Sequence, residues 1–176
     1  MASFSLDAEP GDEWDRAFEL MATSFVTVFH RRDLLAELTD WLRSAGYHLV
    51  EVECRERRDA RELLTALGEA FSFPEYYGRN LDAFNDCLRD VVRYAYGTDA
   101  EATGTVLILD RFDAFAACDG EAAHAVLDIF AGQAREAALI GHRMLCVVQS
   151  DDPHLEFEPV GAMPVMWNPQ EWSIGP

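Results

Sequence analysis

A chain of 176 residues, 49% of them hydrophobic, suits one globular domain with extensions and excludes an intrinsically disordered protein. Its 32 acidic and 14 basic residues give a formal net charge of −18, which argues against nucleic-acid binding and permits fast capture of a positively charged partner by long-range steering. No apolar run approaches the roughly 20 residues that span a bilayer. Cys54, Cys87, Cys118 and Cys146 are too scattered for a zinc site, so a cytoplasmic protein with reduced thiols, no metal and no other cofactor is expected.

In chain order, residues 1 to about 22 read as a charged, loosely patterned leader whose first stretch, MASFSLDAEPGDEWD, lacks the basic-then-apolar signature of a secretory signal. SFVTVFH, from Ser24 to His30, is β-branched and aromatic and reads as a strand. A helix started near Asp33 follows, with Leu34, Leu35, Leu38, Trp41 and Leu42 at helical spacing, and Gly46 ends it. Tyr47–Glu53 is a second strand. Asp59 caps a helix carrying Leu63, Leu64, Leu67 and Phe71 on one face. After the loop FPEYYGR a helix runs from about Asn80 to Tyr94. TVLILD, Thr105 to Asp110, is an apolar run suited to a sheet covered on both faces. A helix over 120–138 turns Val126, Leu127, Ile129 and Phe130 inward, and Met144–Ser150 is the fourth strand. The Pro-rich tail, 151–176, adds a short strand around Val165 to Trp167, and Trp167 and Trp172 pack back on the sheet. Strands alternating with helices predict an α/β domain with a parallel β-sheet of about four strands. The first 45 residues form a leader and an extra βα unit that lengthens the sheet. Residues 46–150 form the central domain, and the tail packs on it.

The densest stretch is FPEYYGRNLDAFNDCL, Phe73 to Leu88. Pro74 fixes its own φ, and Gly78 is expected to adopt a backbone geometry that other residues resist. Tyr76 and Tyr77 are neighbours in a loop, so one packs against the domain and the other is presented. Asn80 caps the following helix through its side chain. On that helix Leu81, Phe84, Leu88 and Val91 or Val92 face inward with Cys87 beside them, and Asp82, Asn85, Asp86, Arg89 and Arg93 fall on the opposite face. Asp82 and Asp86 repel weakly at this spacing. Arg89 offsets that, and the helix N-terminus favours Asp82. A plain solvated face with weak ion pairs is the competing reading.

The run PEYYGRNLDAFNDCL closely resembles the signature of the barstar family of ribonuclease inhibitors, and the order of elements from about residue 46 to 150 agrees with that family. The resemblance implies a barstar-like fold and a protein that plugs the active site of a guanyl-specific ribonuclease, its acidic side chains standing where substrate phosphate binds. It puts Tyr76, Asn80, Asp82 and Asp86 on contact positions, with Asp86 the main phosphate mimic, Asp82 a second acidic contact, Tyr76 packed on the nuclease and Tyr77 supporting the loop. Asn85 and Arg89 belong to the same face. Asn85 stands where the family's best-known member has a tryptophan, and Gly132 where it has a glutamate. The implied partner is a secreted or toxin ribonuclease, met in the cytoplasm by a monomer that forms a 1:1 complex, as an immunity protein does.

Two other classes remain. A binding module on the same scaffold with a non-ribonuclease partner fits the departures at Asn85 and Gly132. An enzyme would use Asp82 and Asp86 as metal ligands or as an acid/base pair. Against it, the chain has no Gly-rich phosphate loop, HExxH or GxSxG motif, and its histidines (His30, His48, His124, His142 and His154) are isolated in the sequence.

Overall fold

Runs of Val, Leu and Ile pair into one five-stranded, all-parallel sheet in the computed structural model, which describes residues 16–172. The strands are β1 (Val26–Phe29), β2 (His48–Glu53), β3 (Thr105–Asp110), β4 (Met144–Gln149) and β5 (Met166–Trp167), and they lie in the order β2-β3-β4-β1-β5. β4 is buried along its whole length, as a central strand of a covered sheet must be. The expected early strand is trimmed to Val26–Phe29, because Ser24 turns its hydroxyl to the Pro164 carbonyl at 2.7 Å and accepts from Val26 N. The tail strand falls where it was expected, pairing Thr27 with Met166.

Alternation along each strand divides the apolar residues between two cores. Val28, Leu107, Leu109, Cys146 and Val148 point into one, beneath α3 (Ala60–Ala70), α4 (Leu81–Val92), α5 (Phe112–Ala116) and α6 (Gly120–Leu139). Phe29, Val106, Ile108, Leu145 and Val147 point into the other, beneath α1 (Arg16–Thr23) and α2 (Arg32–Ser44). The molecule is thus a helix–sheet–helix sandwich.

Two helices were not expected. α1 occupies the end of the supposed leader, burying Ala17 and Leu20, while residues 1–15 lie outside the described part. α5 is one short turn that inserts Phe112 and Phe115, both fully buried. The caps follow the sequence more closely. Asp59 accepts from Glu62 N, and Asp119 accepts from Ala122 N and, through its other oxygen, from Ala60 N. One carboxylate thereby joins the N-termini of α6 and α3. α2 ends at Gly46, at φ 79°, with Tyr47 N bonded to Leu42 O. All four cysteines are free, three of them buried. Among the described residues no helix is long and apolar enough to cross a membrane.

Candidate functional site

The loop between α3 and α4 is built on a left-handed residue at each end. Ser72, at φ 52°, closes α3: its N–H bonds to Glu69 O and the Phe73 N–H to Gly68 O. Arg79, at φ 50°, opens the approach to α4. Gly78 does not adopt a left-handed geometry, contrary to expectation. It serves by its lack of a side chain, since a Cβ there would lie 3.0 Å from Asn80 Nδ2. Between these ends Tyr77 N donates to Pro74 O at 2.9 Å, folding the segment into a turn.

The turn separates the two tyrosines. Tyr77 is buried edge-on against Phe73, ring centroids 4.9 Å apart, and sits over Gly68. Its hydroxyl is buried with no hydrogen-bond partner, and burial pushes its ionisation well above the usual tyrosine range. Tyr76 is 77% exposed and points away.

α4 begins where Asn80 Oδ1 accepts from Ala83 N at 2.9 Å. Phe84, Cys87, Leu88, Val91 and Val92 are buried and Leu81 partly so, which is the expected inner stripe. Asp82, Asp86, Arg89 and Arg93 form the outer stripe at steps of four, three and four residues, all exposed. Asp86 Oδ1 accepts from Arg89 Nη1 at 3.0 Å. With both side chains largely in water, that pair is worth about 0–1 kcal/mol. Asn85 departs from the expected presented face. It is half-buried and accepts at 2.8 Å from Nε2 of Gln133, a buried residue of α6.

The far end of α4 is fixed by His142. Its Nδ1 donates to the Val92 carbonyl, one of the orphan acceptors at the helix end, and its Nε2 meets Thr105 Oγ1, both at 3.0 Å. Tyr94 stacks on the imidazole at 4.2 Å. Burial holds the His142 pKa below its ordinary value, so the ring is kept neutral. Gln133 and His142 escaped the sequence reading, since one looked like any helical residue and the other like an isolated histidine. α4 is therefore anchored at its start, middle and end, while its acidic outer face stays free. Among the described residues no group of three or more His, Cys, Asp or Glu is placed to hold a metal ion.

The parallel sheet thus holds an exposed acidic helix face beside an aromatic-tipped loop. The family model for Barstar (barnase inhibitor) matches residues 47–149, more than half of the chain, and the chain belongs to that family. The match takes in β2 through β4, and with them the loop and all of α4. It leaves out α1, β1, α2 and β5. Among curated proteins none matches the chain. The family is one of inhibitors rather than enzymes, and its partner is a protein.

Proposed function

We propose that this protein inhibits a microbial guanyl-specific ribonuclease by filling its active site with α4 and the preceding loop. The observation that carries the reading is the pair Asp82 and Asp86 on one exposed stripe of α4, beside an exposed Tyr76, inside the stretch that matches the barstar family. A site that binds a phosphodiester must present cations, and a carboxylate is the side chain that replaces phosphate among them. Asp86 is the main mimic and Asp82 the second acidic contact. Tyr76 packs on the nuclease, Tyr77 supports the loop from beneath, and Asn80 and Arg89 complete the contact area, while Asn85 braces α4 against α6. The anchoring of α4 limits the ordering lost on binding, and the net charge of −18 favours rapid encounter with a cationic partner. The inhibitor acts as a monomer in the cytoplasm, in a 1:1 complex with a secreted or toxin ribonuclease.

Titrating barnase and other guanyl-specific ribonucleases while following RNA cleavage tests this. At least one nuclease is expected to lose activity stoichiometrically. Asp86→Ala is expected to raise the inhibition constant roughly tenfold or more, since truncating a carboxylate buried against cations costs about 2–5 kcal/mol. Its unfolding midpoint should stay unchanged. An unaltered inhibition constant removes Asp86 from its role, and a panel without inhibition removes the reading. A second reading, a module for a non-ribonuclease protein, draws on Asn85, whose side chain is spent on Gln133 and is not presented. Capture of a non-nuclease partner that Asp86→Ala abolishes would favour it.

A further inference from the structure

The outer stripe of α4 changes sign along its length. Asp82 and Asp86 occupy its N-terminal half and Arg89 and Arg93 its C-terminal end, with Asp82 in the first turn and Arg89 in the last, where the helix dipole favours them. Arg89 is bonded to Asp86 through one of its five N–H donors. Arg93 is exposed, and its guanidinium has no hydrogen bond or ion pair among the described residues. Both arginines line a cleft of about 350 Å³ between the C-terminal halves of α4 and α6, together with Val92, Gln133, Glu136 and Ile140. Gln133 is only 7% exposed. Its Nε2 is used on Asn85, which leaves Oε1 as a buried acceptor without a donor.

We infer that this cleft receives an acidic residue from a loop of the bound protein, its carboxylate between Arg89 and Arg93. The inference rests on the reading of α4 as the partner-binding face. Charge selects the occupant: the Arg93 guanidinium is unpaired among the described residues, Arg89 spends one N–H donor on Asp86, and Glu136 is the one acidic side chain in the lining. A carboxylate is the group that satisfies both arginines. Ile140, 53% exposed, gives an apolar wall for the methylenes of the incoming side chain. The partner surface thus has two signs, cations opposite Asp82 and Asp86 and an acid about 10 Å further along the helix axis. Such a pattern sets docking register and rejects nucleases that lack the acid.

The affinity of Arg93→Gln, Arg93→Glu and Asp86→Ala is measured for a ribonuclease that the unmodified protein inhibits. Arg93→Gln is expected to weaken the complex several-fold and Arg93→Glu roughly tenfold or more, chiefly through faster dissociation, with thermal unfolding intact. If Asp86→Ala weakens binding but Arg93→Glu leaves it unchanged, the cleft assignment is wrong and the inhibitor reading stands. If Asp86→Ala has no effect, Asp86 loses its role, and if no ribonuclease is inhibited, the inhibitor reading fails. The cleft is then judged on the free protein, titrated with N-acetyl-glutamate N-methylamide and followed by the Gln133 side-chain amide resonances. Shifts that vanish in Arg93→Glu and are absent with the N-acetyl-glutamine analogue support the assignment, and the absence of any shift overturns it.

Discussion

Gly68 and Tyr77 act together beneath the exposed loop. A Cβ on Gly68 would lie 2.6 Å from the Tyr77 ring, so this mid-helix position needs a glycine although its backbone is ordinary helix. Glycine there costs about 1 kcal/mol against alanine, and the seat it opens for the ring offsets that. The Tyr77 hydroxyl gains nothing from its place, being buried without a partner. Tyr77→Phe keeps the ring and removes the unmet donor, so urea unfolding should show unchanged stability or a gain of up to about 1 kcal/mol. A loss of that size would mean that the hydroxyl has found a partner. The divergence of Tyr76 and Tyr77 could be read from their adjacency alone. The seat could not, because Gly68 meets Tyr77 only once α3 has turned back on the loop. The same limit explains Gly78 and Arg79: a glycine beside an arginine suggests that the glycine takes the strained geometry, and here the arginine does.

At the scale of elements, α4 shows where periodicity succeeds and where it stops. Its cap, its inner stripe and its charged stripe follow from spacing, because positions well inside or outside the wheel are fixed by the sheet beneath. Asn85 lies at the border of the wheel, and the placement of α6 decides its direction. α1 and α5 were missed for a related reason, since helices of 8 and 5 residues hold too little period to stand out from a loop. The Asn85–Gln133 bond makes a measurable claim. Asn85→Ala leaves Gln133 Nε2 buried and unpaired and should cost about 1–2 kcal/mol in denaturant unfolding, whereas adding Gln133→Leu should restore most of it. Additive losses in that double-mutant cycle would show that the two amides do not depend on each other.

For the whole molecule, the alternation of strands and helices announced a parallel sheet, but not the order of its strands. Nothing local says that β1 pairs with β4, Val26 opposite Cys146, or that the tail strand then pairs with β1. Those pairings join distant parts of the chain and depend on which surface each helix covers. His142 links three of these parts, the end of α4, the start of β3 and the exit of α6. This gives the fold a pH dependence with a definite sign. Burial lowers the folded-state pKa of His142 below the value of about 6.5 expected for the unfolded chain. Between the two values the unfolded chain binds more protons, so stability rises with pH in that window. The contribution is full above about pH 6.5 and is lost as pH falls through the folded-state pKa. Urea unfolding at stepped pH from 7.5 downward should show the midpoint declining below about pH 6.5. His142→Asn, which can keep the donor to Val92 without a titrating ring, should start less stable and decline less over the same range. Parallel pH profiles for the two proteins would remove His142 as the source.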